Sequence, residues 1–74
     1  MINELFKAYI LTNYKSVSIG CRDLVYKVGI VSPEHIRHIV YGKAKPSIKL
    51  CARLIRMASG KLGYKELRPD AYEV

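Results

Sequence analysis

The sequence predicts an all-α fold, a compact bundle of about five short helices that contains a helix-turn-helix. Apolar residues recur at i, i+3 and i+4 in several stretches, which is helical spacing. Serines stand where helices would start, and glycines where they would stop. Half of the residues are apolar, ample for a small helical core and too many for a disordered chain.

The first helix reads from Ile2 to Tyr14. Leu5, Phe6, Tyr9 and Ile10 share one face, Ile2 extends it, and Asn3 is placed to cap. Thr12 to Gly20 is rich in Ser, Asn and Gly and reads as a connection, with Val17 and Ile19 turned inward. Tyr14, Lys15, Ser16 and Ser18 are its groups able to meet a phosphate. The next helix has Leu24, Val25 and Val28 on its apolar face and Arg22, Asp23 and Lys27 on its polar one. Gly29 ends it in a conformation open to glycine, and Ile30 and Val31 pack the corner.

The following helix has the clearest signals. Ser32 caps it, Pro33 takes the first helical position, Glu34 lies near the positive end of the dipole, and Gly42 suits the position after its end. Ile36, Ile39 and Val40 form one narrow apolar stripe. Pro33, Glu34, Arg37, His38 and Tyr41 are left facing outward. A short helix with Arg and His on its polar face has the shape to enter a major groove. The loop Gly42 to Ser47 carries Lys43 and Lys45, and Pro46 fixes its exit. Ser47 then caps Ile48 to Ser59, with Leu50, Cys51, Leu54, Ile55 and Ala58 inside and Lys49, Arg53 and Arg56 outside. Gly60 stops this helix, a turn runs to Gly63, Tyr64 to Leu67 forms a last helical turn, and Arg68-Pro69 breaks it. Asp70 to Val74 reads as coil or a strand-like arm.

Residues 1–74 read as a single domain, near the lower size at which a core holds without staples. The formal charge is +7, from 13 Lys and Arg against 6 Asp and Glu, and this favours a polyanionic partner. Cys21 and Cys51 are too few and too far apart for a zinc site, so buried free thiols in a reducing cytosol are expected. No apolar run is long enough to span a bilayer. His35 and His38 have only Glu34 nearby to orient them, and no phosphate-cradling glycine loop is present. The reading is therefore a cytoplasmic binding protein, not an enzyme, with no cofactor, metal, membrane or small-molecule substrate.

Leu24-Val25-x-x-Val28-Gly29-Ile30, then Ile36 and Ile39, then Gly42-Lys43-x-Lys45-Pro46-Ser47, resembles the helix-turn-helix of the phage Cro and CI type repressors. The ending Glu66-Leu67-Arg68-Pro69-Asp70-Ala71-Tyr72 is similar to the tail of small Cro-like and YdaS-like members. The family usually has a small residue where Val25 stands and one residue fewer between Gly29 and Ser32. The extra residue alters how the second helix of the motif leaves the first.

The resemblance implies a transcriptional regulator, a repressor, that lays the helix from Ser32 to Tyr41 in the major groove of double-stranded DNA in a bacterial host cell. The expected base contacts are Pro33, Glu34, Arg37 and His38, with Arg37 able to fork onto guanine. The expected phosphate contacts are Ser32, Lys27, Tyr41, Lys43 and Lys45. One short helix reads few base pairs, so a homodimer on a two-fold operator is expected. Its interface is expected on the helix from Ile48 and the tail from Leu62 to Val74, because Leu62, Tyr64, Leu67 and Tyr72 look surplus to a small core. An antitoxin-like or other protein-interaction module on the same fold, and a nonspecific nucleic-acid binder, are the competing readings. The absence of RNA-binding aromatic signatures counts against RNA.

Overall fold

A computed structural model describes residues 2–68. The chain forms five α-helices, α1 (Glu4–Asn13), α2 (Val17–Val28), α3 (Pro33–Val40), α4 (Ile48–Ala58) and α5 (Tyr64–Leu67), and no strand among the described residues. It is an all-α bundle, in which α2 packs against α1, α3 and α4, and α5 closes against α1 and α4.

Four of the five starts are set by a side chain that accepts from the first turn. The Asn3 Oδ1 accepts from the Phe6 N–H, and Ser16, Ser32 and Ser47 accept from the N–H groups of Ile19, His35 and Leu50. The fifth is held by the Glu66 carboxylate, which accepts from the Gly63 N–H at 2.8 Å. Each satisfies a backbone donor that the helix itself cannot.

Asn3 does more than cap. Its backbone N–H donates to the Val40 carbonyl at the end of α3, and its Nδ2 donates to the carbonyls of Glu66 (2.9 Å) and Leu67 (3.4 Å). One side chain thereby joins the start of α1 to the end of α5, while its backbone joins α1 to α3.

The core gathers Phe6 and Ile10 from α1, Cys21, Leu24 and Val28 from α2, and Ile36, Ile39 and Val40 from α3. Leu50, Cys51, Leu54 and Ala58 of α4, with Leu62 and Leu67, complete it. No polar or charged side chain is buried among the described residues. Both cysteines are free and buried, and burial pushes both thiols above their ordinary range, which makes them poor nucleophiles at neutral pH.

Several expectations need correction. The segment from Thr12 to Gly20 is not a connection throughout, since α2 begins at Val17, one turn earlier than its glycine suggested. Gly20 lies inside α2 where α2 crosses α1; a Cβ there would stand 2.4 Å from the Ile10 Cγ2. Close approach, not turn formation, explains that glycine. Val17 does pack on the core, but Ile19 is half exposed because the helix turns it outward. Ile2 and Leu5 are exposed too, leaving Phe6 and Ile10 as the buried pair of α1. Ile30 is partly exposed, and Val31 alone packs the corner. Val25, where a smaller residue was expected, is partly buried against the core.

Leu62 and Leu67 are not surplus. Each is 1% exposed and fills the floor between α1, α4 and α5, and Tyr64 packs beside them. Leu62 and Leu67 therefore offer no free apolar surface to a dimer interface. Tyr72 and the rest of the expected arm lie outside the described residues.

Candidate nucleic-acid interface

The structure builds α3 as a helix with a buried back and an exposed front. Ile36, Ile39 and Val40 are buried at 0–1% exposure and fix its rotation. That phase leaves Pro33, Glu34, Arg37, His38 and Tyr41 exposed, and His35 partly buried on the flank. Two adjoining depressions run along this front. One is lined by Ser18, Cys21, Arg22, Pro33, Glu34 and Arg37, the other by Val17, Ser18, Arg37, His38, Tyr41 and Lys43. Arg37 and Ser18 border both, so α3 and the N-terminal half of α2 form one continuous surface.

The start of α3 is open to solvent. Ser32 is exposed, and its Oγ accepts from the His35 N–H at 3.2 Å, so the hydroxyl proton remains available to a further acceptor. At the other end, the Lys43 N–H donates to the His38 carbonyl (2.8 Å) and the Gly42 N–H to the Ile39 carbonyl (3.2 Å). Gly42 has φ +77°, the left-handed conformation this pair of bonds requires. The result is a Schellman stop that folds the loop back and sets Lys43 beside Tyr41 and His38. Lys45 is exposed further along the loop, before the buried Pro46.

Arg37 is held by Glu34. Its Nη2 lies 2.6 and 2.8 Å from the two carboxylate oxygens, one turn back on the same face. Both side chains are well exposed, at 46% and 61%, so the pair is a positioning contact more than a source of stability.

The structure brings Pro33, Glu34, Arg37, His38, Tyr41 and Lys43 together, with Ser32 and Lys45 at the two ends of the same helix and loop. It does not bring Lys27 there. Lys27 pairs with Asp23 at 2.9 Å and lines a groove against α4. Nine residues separate it from Ser18 along α2, about half a turn out of phase at roughly 100° per residue. Arg22 is the residue the sequence reading missed for this surface. The signal lay in Ser16, whose capping role would have started α2 earlier and put Arg22 on the face of Ser18.

Asp23 also accepts from the Tyr14 hydroxyl at 2.5 Å, tying the end of α1 to the middle of α2. That bond first, and Lys27 second, hold the Asp23 carboxyl below the ordinary carboxylate range. Burial, aided by Asp23, pushes the Tyr14 phenol up. Among the described residues no three His, Cys, Asp or Glu side chains gather into a metal site, and no helix is long and apolar enough to cross a membrane. Comparison with protein-family models, curated proteins and solved structures gives no match to this chain.

Proposed function

We propose that this chain is a sequence-specific DNA-binding transcriptional regulator, a repressor of the phage Cro type. It acts in the cytoplasm on double-stranded DNA as a homodimer, and it is not an enzyme. The observation that carries the reading is the exposed front of α3, with Pro33, Glu34, Arg37 and His38 aligned beside Arg22 and Lys43 and the rear wholly buried. A narrow helix presented that way fits a major groove, with base edges read from its front and phosphates met at its ends. Arg37 is the base-reading residue, by a fork onto guanine O6 and N7. Ser32, Tyr41, Lys43, Lys45 and Arg22 meet phosphates and set the register. The charge of +7 supplies the sequence-independent part of the affinity.

The test is selection from random duplexes with wild type and Arg37→Ala at two salt concentrations. A short two-fold-symmetric site, with preference lost at one position per half-site in Arg37→Ala, supports the reading. Binding that depends only on salt makes the chain a nonspecific binder. No binding at low salt overturns the proposal.

A further inference from the structure

A second basic surface lies on the other side of α2. Lys27 from the end of α2 and Lys49, Arg53 and Arg56 from α4 border a groove of about 590 Å³, with Ala52 and Met57 as its accessible apolar lining over the buried Val28. That volume holds several side chains. On α4 the three cations stand at i, i+4 and i+7, one continuous stripe, and the helix carries no acidic residue to balance them. Asp23 is the acid nearest on α2, and it is engaged by Lys27 and Tyr14.

The helix does not need this charge. Lys49 stands in the first turn of α4, at the positive end of its dipole, where a cation is unfavourable. Arg53 has a structural contact, donating to the Val28 carbonyl at the end of α2 at 3.3 Å. Lys49 and Arg56 have no carboxylate partner among the described residues. Two copies of the chain meeting at this groove would oppose like charges, so the face is unsuited to self-association.

We infer that the groove between the end of α2 and α4 is a docking site for an acidic amphipathic segment of a partner protein. Carboxylates of the partner pair with Lys49, Arg53 and Arg56, and an apolar residue between them covers Ala52 and Met57. An apolar floor suits a side chain of a protein and has no use for a phosphodiester backbone. The inference stands on α2 and α4 and does not depend on what α3 reads. Because Lys27 lies about half a turn around α2 from Ser18, the groove opens away from the front of α3, and both surfaces can be occupied together.

The experiment uses the whole chain and a fluorescent synthetic helix with Glu at i, i+4 and i+7 and Leu beside them, together with its Gln counterpart. Fluorescence anisotropy is expected to show salt-sensitive binding of the Glu helix and none of the Gln helix. Lys49→Glu with Arg56→Glu is expected to weaken it about tenfold or more, while Arg37→Ala leaves it unchanged. If the charge-reversed variant loses its circular dichroism signal, Lys49→Gln with Arg56→Gln replaces it, with a smaller weakening expected. No binding of the Glu helix to the folded wild type overturns the inference, as does equal binding of the Gln helix. So does equal weakening by Arg37→Ala. Loss of duplex DNA binding in the α4 variant, with peptide binding intact, would assign the groove to nucleic acid and overturn it too.

Discussion

The Nη2 of Arg37 lies 2.6 and 2.8 Å from the two oxygens of Glu34, so the guanidinium on the exposed front of α3 is already oriented by a carboxylate on the same helix. If α3 reads DNA as proposed, Glu34 has two opposed effects on that binding. It restrains the Arg37 guanidinium through the paired contact, and its charge repels phosphates. Glu34→Gln removes the charge and weakens the restraint. The expected outcome is a several-fold gain in affinity for any duplex at low salt, with reduced discrimination at the base pair that Arg37 reads. Arg37→Ala is expected to cost about 1–3 kcal/mol on the preferred site and little on a scrambled duplex. Anisotropy titrations on both duplexes check this; equal losses on both from Arg37→Ala would remove its role in reading sequence.

Asn3 separates two functions that alanine scanning would merge. Asn3→Asp keeps an oxygen to accept from the Phe6 N–H but replaces the donor facing the Glu66 and Leu67 carbonyls with an acceptor. Asn3→Ala removes both. The expected order of stability is wild type above both variants. Asn3→Asp should be no better than Asn3→Ala despite its intact cap, because apposed acceptors cost about 1–3 kcal/mol. Urea unfolding decides it, and a stable Asn3→Asp would mean that the bonds to α5 contribute nothing.

Gly20 tests whether α1 and α2 cross as closely as the structure has it. An added Cβ would stand 2.4 Å from the Ile10 Cγ2. Overpacking costs about 1–3 kcal/mol, and the better helix propensity of alanine offsets about 1 kcal/mol of it. Gly20→Ala is therefore expected to lower stability. Ile10→Leu moves the branch away from Cβ and takes away the clashing methyl, so the double variant should recover part of the loss. A double-mutant cycle with no coupling would show that the helices stand further apart.

What was legible in the sequence follows the caps. α3 and α4 carry serine starts and glycine-containing stops around a narrow apolar stripe, and their bounds agree with the reading to within a residue or two. The start of α2 is hidden because Gly20 and two serines nearby, Ser16 and Ser18, resemble a loop in one dimension. Only the crossing with α1, a contact between Ile10 and Gly20, gives the glycine its other meaning. Leu62 and Leu67 failed for a related reason, since nothing local says that a four-residue helix closes the floor of the core. On the α3 front, helical phase alone placed Pro33, Glu34, Arg37, His38 and Tyr41 outward. Lys27 was grouped with them by charge, and phase sets it apart.

Tyr14 and Asp23 give a prediction for the acid side. The folded Asp23 carboxyl lies below its unfolded value, chiefly through the Tyr14 hydroxyl and then through Lys27. A depressed carboxylate contributes stability that is present above the unfolded pKa, near about 4, and is lost as pH falls through the lower folded value. Tyr14→Phe should move the Asp23 titration upward towards that ordinary value and shrink the loss of stability below about pH 4. Carbon NMR of the Asp23 carboxyl reads the first, and thermal unfolding across pH reads the second. An unmoved midpoint in Tyr14→Phe would show that Lys27, not the phenol, sets the titration.

Salt dependence separates the two basic faces. A cation that neutralises a phosphate releases a counterion, and its removal should flatten the plot of log affinity against log salt by about 0.9. Arg22 and Lys43 border the α3 front, so Arg22→Ala and Lys43→Ala are each expected to flatten it by about that much on specific and scrambled duplexes alike. Lys27 is about half a turn out of phase on α2 and engaged by Asp23, so Lys27→Ala is expected to leave the slope unchanged. The three side chains contribute equally to net charge, which makes the comparison one of position alone. If Lys27→Ala flattens the slope as much as Arg22→Ala, the duplex responds to overall charge or wraps around α2, and the front of α3 is not its sole contact.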